Sequence, residues 1–483
     1  MNKKMVFNML GRIVMAEAGL LVLPTVCAAI YKESCIFSFL ITIAIALVVG
    51  TLLLTLTRTK DKVIFAKEGF VIVALSWIVL SAIGALPFFI SREIPSYVDA
   101  FFETVSGFTT TGSSIVPDVE AMSHGILFWR GFTNWVGGMG ILVLVMAILP
   151  TDSGRSMHII RAEMPGPIVG KLVPKIKSTA KILYFIYIGI TSVLVVLLFL
   201  GGMSLFNSLC YAFGIAGTGG FGVDADGFAG YSPYIQWVAT IFMAIYGINF
   251  NLYFLLLTKK FVQVLKSEEL RVYLLIILIS TGIITYNIYP MYSGFSEAVR
   301  TAAFQVSSIM TTTGYSSVDF NLWPSLSKGI LLILMFFGAC AGSTAGGIKI
   351  SRVILLFKTI KANLRHMLHP RSVESIKFEG KTVEQSTVNS VTNYLAVYCL
   401  CVIVIFLIIC IDPFDIETHV SATAACFNNI GPGFSSVGPL SNYSGYSAIS
   451  KITLSAAMLL GRLEIFPMLL LFSPTAWAKK RVR

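Results

Sequence analysis

Two stretches of this chain, SGFTTTGSS at residues 106–114 and SSIMTTTGYSS at 307–317, set threonines and a glycine between long apolar runs. Main-chain carbonyls and threonine hydroxyls are oxygen donors, and glycine reaches backbone angles closed to residues with a Cβ. The chemistry on offer is replacement of the water around a cation by peptide oxygens, as rings of carbonyls do in ion-selective pores. Two more glycines have similar settings, Gly219 in AGTGGFG and Gly431 in NNIGPGFSS. Aligning Gly112, Gly219, Gly314 and Gly431 gives the candidate cation ligands: Thr110, Thr111 and Gly112; Thr218 and Gly219; Thr312, Thr313 and Gly314; Asn429, Ile430 and Gly431. In this alignment Gly217 stands where the first and third stretches have Thr110 and Thr312, and Asn429 stands in the fourth, so the stretches differ in chemistry. The threonine hydroxyls either add ligands or brace the loop.

The elements that must position these oxygens repeat as well. Each glycine follows a semi-polar segment: SYVDAFFETVSGF, MSLFNSLCYAFGI, FSEAVRTAAFQVSSIM or THVSATAACFNN. Such segments are too short and too polar to cross a bilayer, which needs about 20 apolar residues. They are expected to be re-entrant half-helices entering from outside, with the negative ends of their dipoles toward the membrane centre. A span precedes each one, and an outer loop and another span follow. Four units result: 67–152, 178–262, 266–362 and 385–478, preceded by a two-helix pair at 1–66. The expected fold is an all-α polytopic membrane protein of about ten transmembrane helices, with four pseudo-symmetric repeats around a central pore.

Composition agrees with a membrane. Of 483 residues, 56% are hydrophobic and only 12% charged. Ten apolar runs fall near 9–30, 38–57, 68–90, 125–150, 180–202, 235–258, 270–290, 327–357, 387–411 and 449–474. The net charge of +12 does not point to nucleic acid, because the basic residues gather in alternate loops, around Arg58, Arg155, Lys259 and from Lys349 to Lys381. That bias places both termini in the cytoplasm. The opposite loops hold few cations, Arg130 among them, and their acids, including Asp99, Glu103, Asp224 and Asp415, are expected to be solvated. Cysteines and histidines show no metal-ligand spacing, and no intramembrane acid–base constellation suggests an enzyme. There is no GxGxxG in a strand–helix context and no GxxxxGK[ST], so no cofactor is expected in this chain.

The spans after the glycines are interrupted near their middles, at GGMG (137–140), YGINFN (246–251), GACAGSTAGG (338–347) and GRLEIFP (461–467). Such glycines either permit close helix packing or break the helix. In the third, the density of glycine and small polar residues favours unwinding. Arg462 lies within the last run, where a charge is costly. It either bridges to another helix or stands beside the pore as a fixed positive charge below the four stretches.

These stretches, together with NNIGPG, AGSTAGGIK and GRLEIFP, resemble the Trk/Ktr/HKT superfamily of potassium transporters over essentially the whole chain, most closely its bacterial TrkH branch. The resemblance implies potassium as the substrate and channel-like uptake across the bacterial inner membrane. It also implies a homodimer with one pore per subunit, and control by a cytosolic nucleotide-binding ring subunit like TrkA. The family's gate loop matches Gly338, Gly342, Ser343, Thr344, Gly346 and Gly347, with Arg462 against it. The basic, apolar segment after the loop is then a lever toward the cytosolic partner. An ion-coupled symporter of alternating-access type, driven by protons or sodium, is the alternative. Four repeats running in one direction favour a pore over it, since carriers commonly use inverted repeats.

Overall fold

The computed structural model describes residues 1–58, 66–140, 176–371 and 375–477. Within them the chain is helical, apart from one hairpin, Lys377–Phe378 with Lys381–Thr382. Among the described residues, six helices are long and apolar enough to cross a membrane alone: Lys3–Ile30, Ile36–Leu56, Lys67–Ile90, Lys181–Leu200, Glu268–Met291 and Gln385–Ile409. The other predicted runs fall short for one reason: each stops at its glycine-containing break.

His124–Gly138 ends within GGMG, Ser325–Phe336 ends before GACAGSTAGG, and Ala448–Arg462 ends within GRLEIFP. Pro233–Tyr246 turns by 94° into Phe250–Leu257 across Gly247–Asn249. Packing and breaking occur together. A side chain on Gly137 would run into the carbonyl of Phe108, and one on Gly461 into the carbonyl of Phe427. Each of these interrupted helices therefore lies directly against the end of the short helix before it. The rest of the run predicted at 125–150, the end of the unit predicted at 67–152, and the loop around Arg155 lie outside the described residues.

Between the long helices stand four short ones, Tyr97–Phe108, Leu205–Gly217, Phe295–Met310 and Ile416–Phe427. At 1.5 Å per residue they reach roughly 18–24 Å, less than a hydrocarbon core. Ser96, Ser204 and Asp415 cap three of their N-termini by accepting a bond from the N–H three residues on. Each helix is followed by an irregular stretch, a loop and one of the interrupted helices.

The N-terminal pair packs at its own crossing. Gly11 and Gly50 face each other so closely that a Cβ on either would come within 3.1–3.2 Å of the other's carbonyl oxygen. In lipid, close approach of this kind replaces the hydrophobic drive for helix association. Glu17 is fully buried here, with neither carboxyl oxygen hydrogen-bonded. The interruption of the first span after Leu20 leaves Leu21–Ile30 to pack on the helix beginning at His124, with Gly125 against Ala28 and Cys35.

Gly50→Ile places branched carbons where Met15 and the Gly11 carbonyl already lie. It is expected to destabilise the protein by about 1–3 kcal/mol. Thermal unfolding of the detergent-purified chain measures it, and Gly19→Ala, at a position with open space, serves as the unaffected control.

Candidate functional site

Each short helix ends in the same way. Thr110, Thr218, Thr312 and Asn429 are left-handed, with φ of 54°, 54°, 55° and 57°. The next N–H reaches back to the last turn: Thr111 to Ser106 O at 2.8 Å, Gly219 to Gly214 O at 2.8 Å, Thr313 to Ser308 O at 2.8 Å, and Ile430 to Ala425 O at 2.9 Å. This is the Schellman arrangement, which normally uses glycine at the left-handed position. The residue after next is again at positive φ, and always glycine: Gly112 at 81°, Gly220 at 70°, Gly314 at 81° and Gly431 at 103°.

Two independent repeats, of dihedral angle and of hydrogen bond, thus set the register. They correct the alignment made on the sequence. Gly220, not Gly219, is the counterpart of Gly112, and Thr218, not Gly217, is the counterpart of Thr110. The run GTGG offers three glycines, and only the backbone angle distinguishes them.

The four stretches close into a ring. A side chain on Gly112 would strike the carbonyl oxygen of Gly219, one on Gly220 that of Thr313, one on Gly314 that of Ile430, and one on Gly431 that of Thr111. Each glycine therefore abuts the carbonyl of the residue preceding the next glycine, and the fourth returns to the first. All four glycines line one cavity, together with Ser113 and Arg130.

Side chains brace this ring. Thr109 and Thr111 share a hydroxyl bond at 2.8 Å, and Thr311 and Thr313 one at 2.7 Å. Asn429 donates to the Thr111 hydroxyl at 2.9 Å and to Met458 O at 3.0 Å. In the second stretch the corresponding positions are Gly217 and Gly219. Asn134 fills that space instead: its side-chain amide lies where a Gly219 Cβ would be, and it is buried with no hydrogen bond of its own. Of the two uses expected for hydroxyls, bracing is seen for Thr111 and Thr313. The Thr110 hydroxyl and the Asn429 amide oxygen are buried without a partner.

The loop 337–349 lies directly beneath. The Gly346 N–H donates to the Thr312 hydroxyl at 2.7 Å, and a side chain on Gly346 would collide with Asn428 and Asn429. Gly338 is tied to Ile348 at 2.8 Å, and a side chain on it would meet the Gly346 carbonyl. Gly342 and Gly347 are at φ 71° and 66°. Ser343 donates to Cys340 O at 2.6 Å. Arg462 crosses to this loop, donating to Thr344 O at 2.7 Å, and to Gly137 O and Gly138 O at 2.5 and 2.8 Å. It so joins the breaks of the first and third units. The carboxylate near it, Glu464, is paired with Arg352 at 2.5 Å. The expected gate residues are thus brought together under the ring.

Four groups here escaped the sequence reading. Lys349, counted among the cytoplasmic cations, is buried, and its ammonium bonds Ala345 O and Gly346 O; the adjoining Gly-Gly-Ile was the available signal. Glu269 accepts from the N–H groups of Ala341 at 2.8 Å and Ser351 at 3.0 Å, holding both ends of the loop. Glu103 and Arg130, expected in solvated loops, are buried and paired at 2.6 Å. Arg130 lies inside a predicted apolar run, and a charge there should have pointed to an interior partner. The remaining outer acids are partly engaged: Asp99 with Lys451, Asp224 with Tyr211 and Tyr231, and Asp415 with Thr418.

Comparison with known proteins agrees with the fold. A family model described as "TrkH: Cation transport protein" matches residues 35–479. The chain is 36% identical to the Trk system potassium uptake protein TrkH of Escherichia coli K12, over 99% of this chain and the whole of that protein. It is 32% identical to the Trk system potassium uptake protein TrkG of the same strain, over 98% of each. The crystal structure of the potassium transporter TrkH from Vibrio parahaemolyticus superposes with a TM-score of 0.88 at 31% identity, covering 99% of this chain and all of that one.

The register predicts different fates for neighbouring glycines. Gly219→Ala should lower thermal stability by about 1–3 kcal/mol and be largely rescued by Asn134→Ala, which removes the amide in its way. Gly220→Ala, strained at positive φ and facing a backbone carbonyl, should lose as much or more and show no such rescue. Unfolding of the four purified variants in detergent checks this.

Proposed function

This chain belongs to the TrkH family of cation transport proteins, and we propose that it takes up potassium across the inner membrane through the ring formed by its four glycine-containing stretches. The observation that carries the proposal is the cyclic contact of each glycine with the next stretch's carbonyl. A side chain at those four positions would intrude among the oxygens of Thr111, Gly219, Thr313 and Ile430. In this reading those carbonyls replace a potassium ion's water shell. The C-terminal ends of the four short helices face the same centre and make it favourable for a cation. Thr110, Thr218, Thr312 and Asn429 form the inner end of this filter, and Gly112, Gly220, Gly314 and Gly431 its outer end.

The loop from Gly338 to Gly347, with Thr344 held by Arg462, is the gate. A fixed positive charge, Arg462, lines the cavity beneath the ring beside Lys349 and raises the energy of a cation there. Opening requires Arg462 to release its carbonyls and the loop to withdraw from Thr312. The helix Ile350–Leu368 continues directly from the loop and ends in exposed apolar and basic residues, which suits it to transmit a cytosolic partner's movement. A nucleotide-binding ring subunit of the Trk system is that partner, and two copies of this chain form the working unit. The domain reading of four pore units after an N-terminal pair, with both ends of the chain in the cytoplasm, belongs to the same proposal.

Reconstituted in potassium-loaded vesicles, the chain should pass an uncoupled, voltage-driven potassium current. A flux that stops when a proton or sodium gradient is removed would instead establish the symporter. Gly314→Ser should lower potassium uptake at least about tenfold, because it puts a side chain among the filter oxygens. Arg462→Gln should raise potassium leak without partner about tenfold, through loss of the charge and of the loop's anchor; unchanged leak would remove Arg462 from the gate.

A further inference from the structure

One charged pair reaches two of the four stretches at once. Glu103, on the first short helix, is fully buried. Its Oε2 accepts from the Ile115 N–H at 2.9 Å, and its Oε1 from the Ser114 hydroxyl at 3.0 Å and from Arg130 Nε at 2.6 Å. Arg130, 4% exposed, uses the other side of its guanidinium to donate from Nη1 to Gly222 O at 2.7 Å, and its plane lies 3.9 Å over the Phe221 ring. A continuous run of charge-assisted bonds therefore joins the residues just outside Gly112 to those just outside Gly220. At the other junctions the ties from residues flanking the glycines are neutral, and the ion pairs there, Lys328 with Glu417 and Lys451 with Asp99, join helix to helix instead. The Tyr315 hydroxyl donates to Phe221 O at 2.7 Å, Asn321 accepts from the Ser435 N–H at 3.0 Å, and the Tyr443 N–H donates to Ser114 O at 2.8 Å.

We infer that Glu103 and Arg130 are positioning residues that fix the separation of the first and second filter strands, and through it the discrimination between potassium and sodium. The inference rests on the filter reading given above. Two separable effects follow from the geometry. The first is spacing: the planar fork of arginine spans from carboxylate to carbonyl, which a lysine's single ammonium on a flexible stem cannot do with the same rigidity. The second is charge. Arg130 borders the outer cavity with the four glycines, and Glu103 neutralises it. Without the carboxylate, a bare guanidinium would face each entering cation.

The test is potassium uptake by the reconstituted full-length chain, read as half-saturating concentration and as potassium-over-sodium preference. Arg130→Lys keeps the charge balance and loses the fork. It should leave half-saturation within about threefold of the unaltered protein and lower the preference at least about fivefold. Glu103→Gln leaves the arginine uncompensated and should raise the half-saturating concentration about tenfold or more. Glu103→Gln with Arg130→Gln removes both charges; half-saturation should return to within about threefold, while the preference stays reduced. A pair that merely supports folding would lower maximal uptake alone, with preference and half-saturation unchanged, and that result overturns the inference. If Glu103→Gln does not fold, Arg130→Lys decides alone: unchanged preference refutes the positioning role. If the unaltered protein itself shows no preference for potassium, the filter reading fails and takes this inference with it.

Discussion

The centre of this protein depends on four α-carbons that carry no side chain. At Gly112, Gly220, Gly314 and Gly431 the neighbouring carbonyl lies where a Cβ would be, and the backbone is at positive φ. Both conditions demand glycine, one through space and one through torsion. With them met, four peptide strands approach closely enough for each glycine to abut the next stretch's carbonyl. Much else in the fold can be understood as serving that approach. The short helices stop where they do because a left-handed residue turns the chain out of each helix. The interrupted helices carry Gly137 and Gly461 where they cross the ends of short helices.

Holding four strands at such distances sets oxygen against oxygen, so the ring needs donors from behind. It receives them in three of the stretches, and in the second an amide without a hydrogen bond fills the space instead. Hydroxyl pairs serve the first and third stretches, the Asn429 amide links the fourth to the first, and Asn134 occupies the space beside the second. The Glu103–Arg130 pair adds an ionic tie between the first and second. The outline is fourfold and the bracing is not. Below the ring, the donors are the side-chain nitrogens of an arginine and a lysine. Arg462 and Lys349 satisfy carbonyls of the unwound loop and of the break after Gly137 that lack helical partners, consistent with the rule that irregular backbone at membrane depth must be satisfied by protein or water.

Much of this was legible in the residues. The four helix breaks were found from glycine and small-residue clusters, because a break needs special local composition wherever it occurs. The short helices were found from length and polarity. The register of the second stretch was not, since GTGG presents equal glycines and φ is not written in composition. The burial of Glu103, Arg130, Lys349 and Glu269 was also missed. Lys349 and Glu269 lie beside element boundaries, where a charge in solvent and a charge folded inward produce the same local sequence; Glu103 and Arg130 lie mid-helix, and their partners come from other elements.

The sequence alone determined that the chain is a helical membrane protein, that it carries four glycine-containing turns, and that its later spans are interrupted. These follow from hydropathy, spacing and the conformational demands of single residues, all of which are local. Tertiary structure decided which glycine belongs to the ring, which carbonyl each one faces, and which partner neutralises each buried charge. Those are matters of approach between different elements, some of them more than a hundred residues apart, as Arg462 with Thr344 and Gly137 shows. No local pattern carries such distances, because they arise only when the four turns are packed against one another.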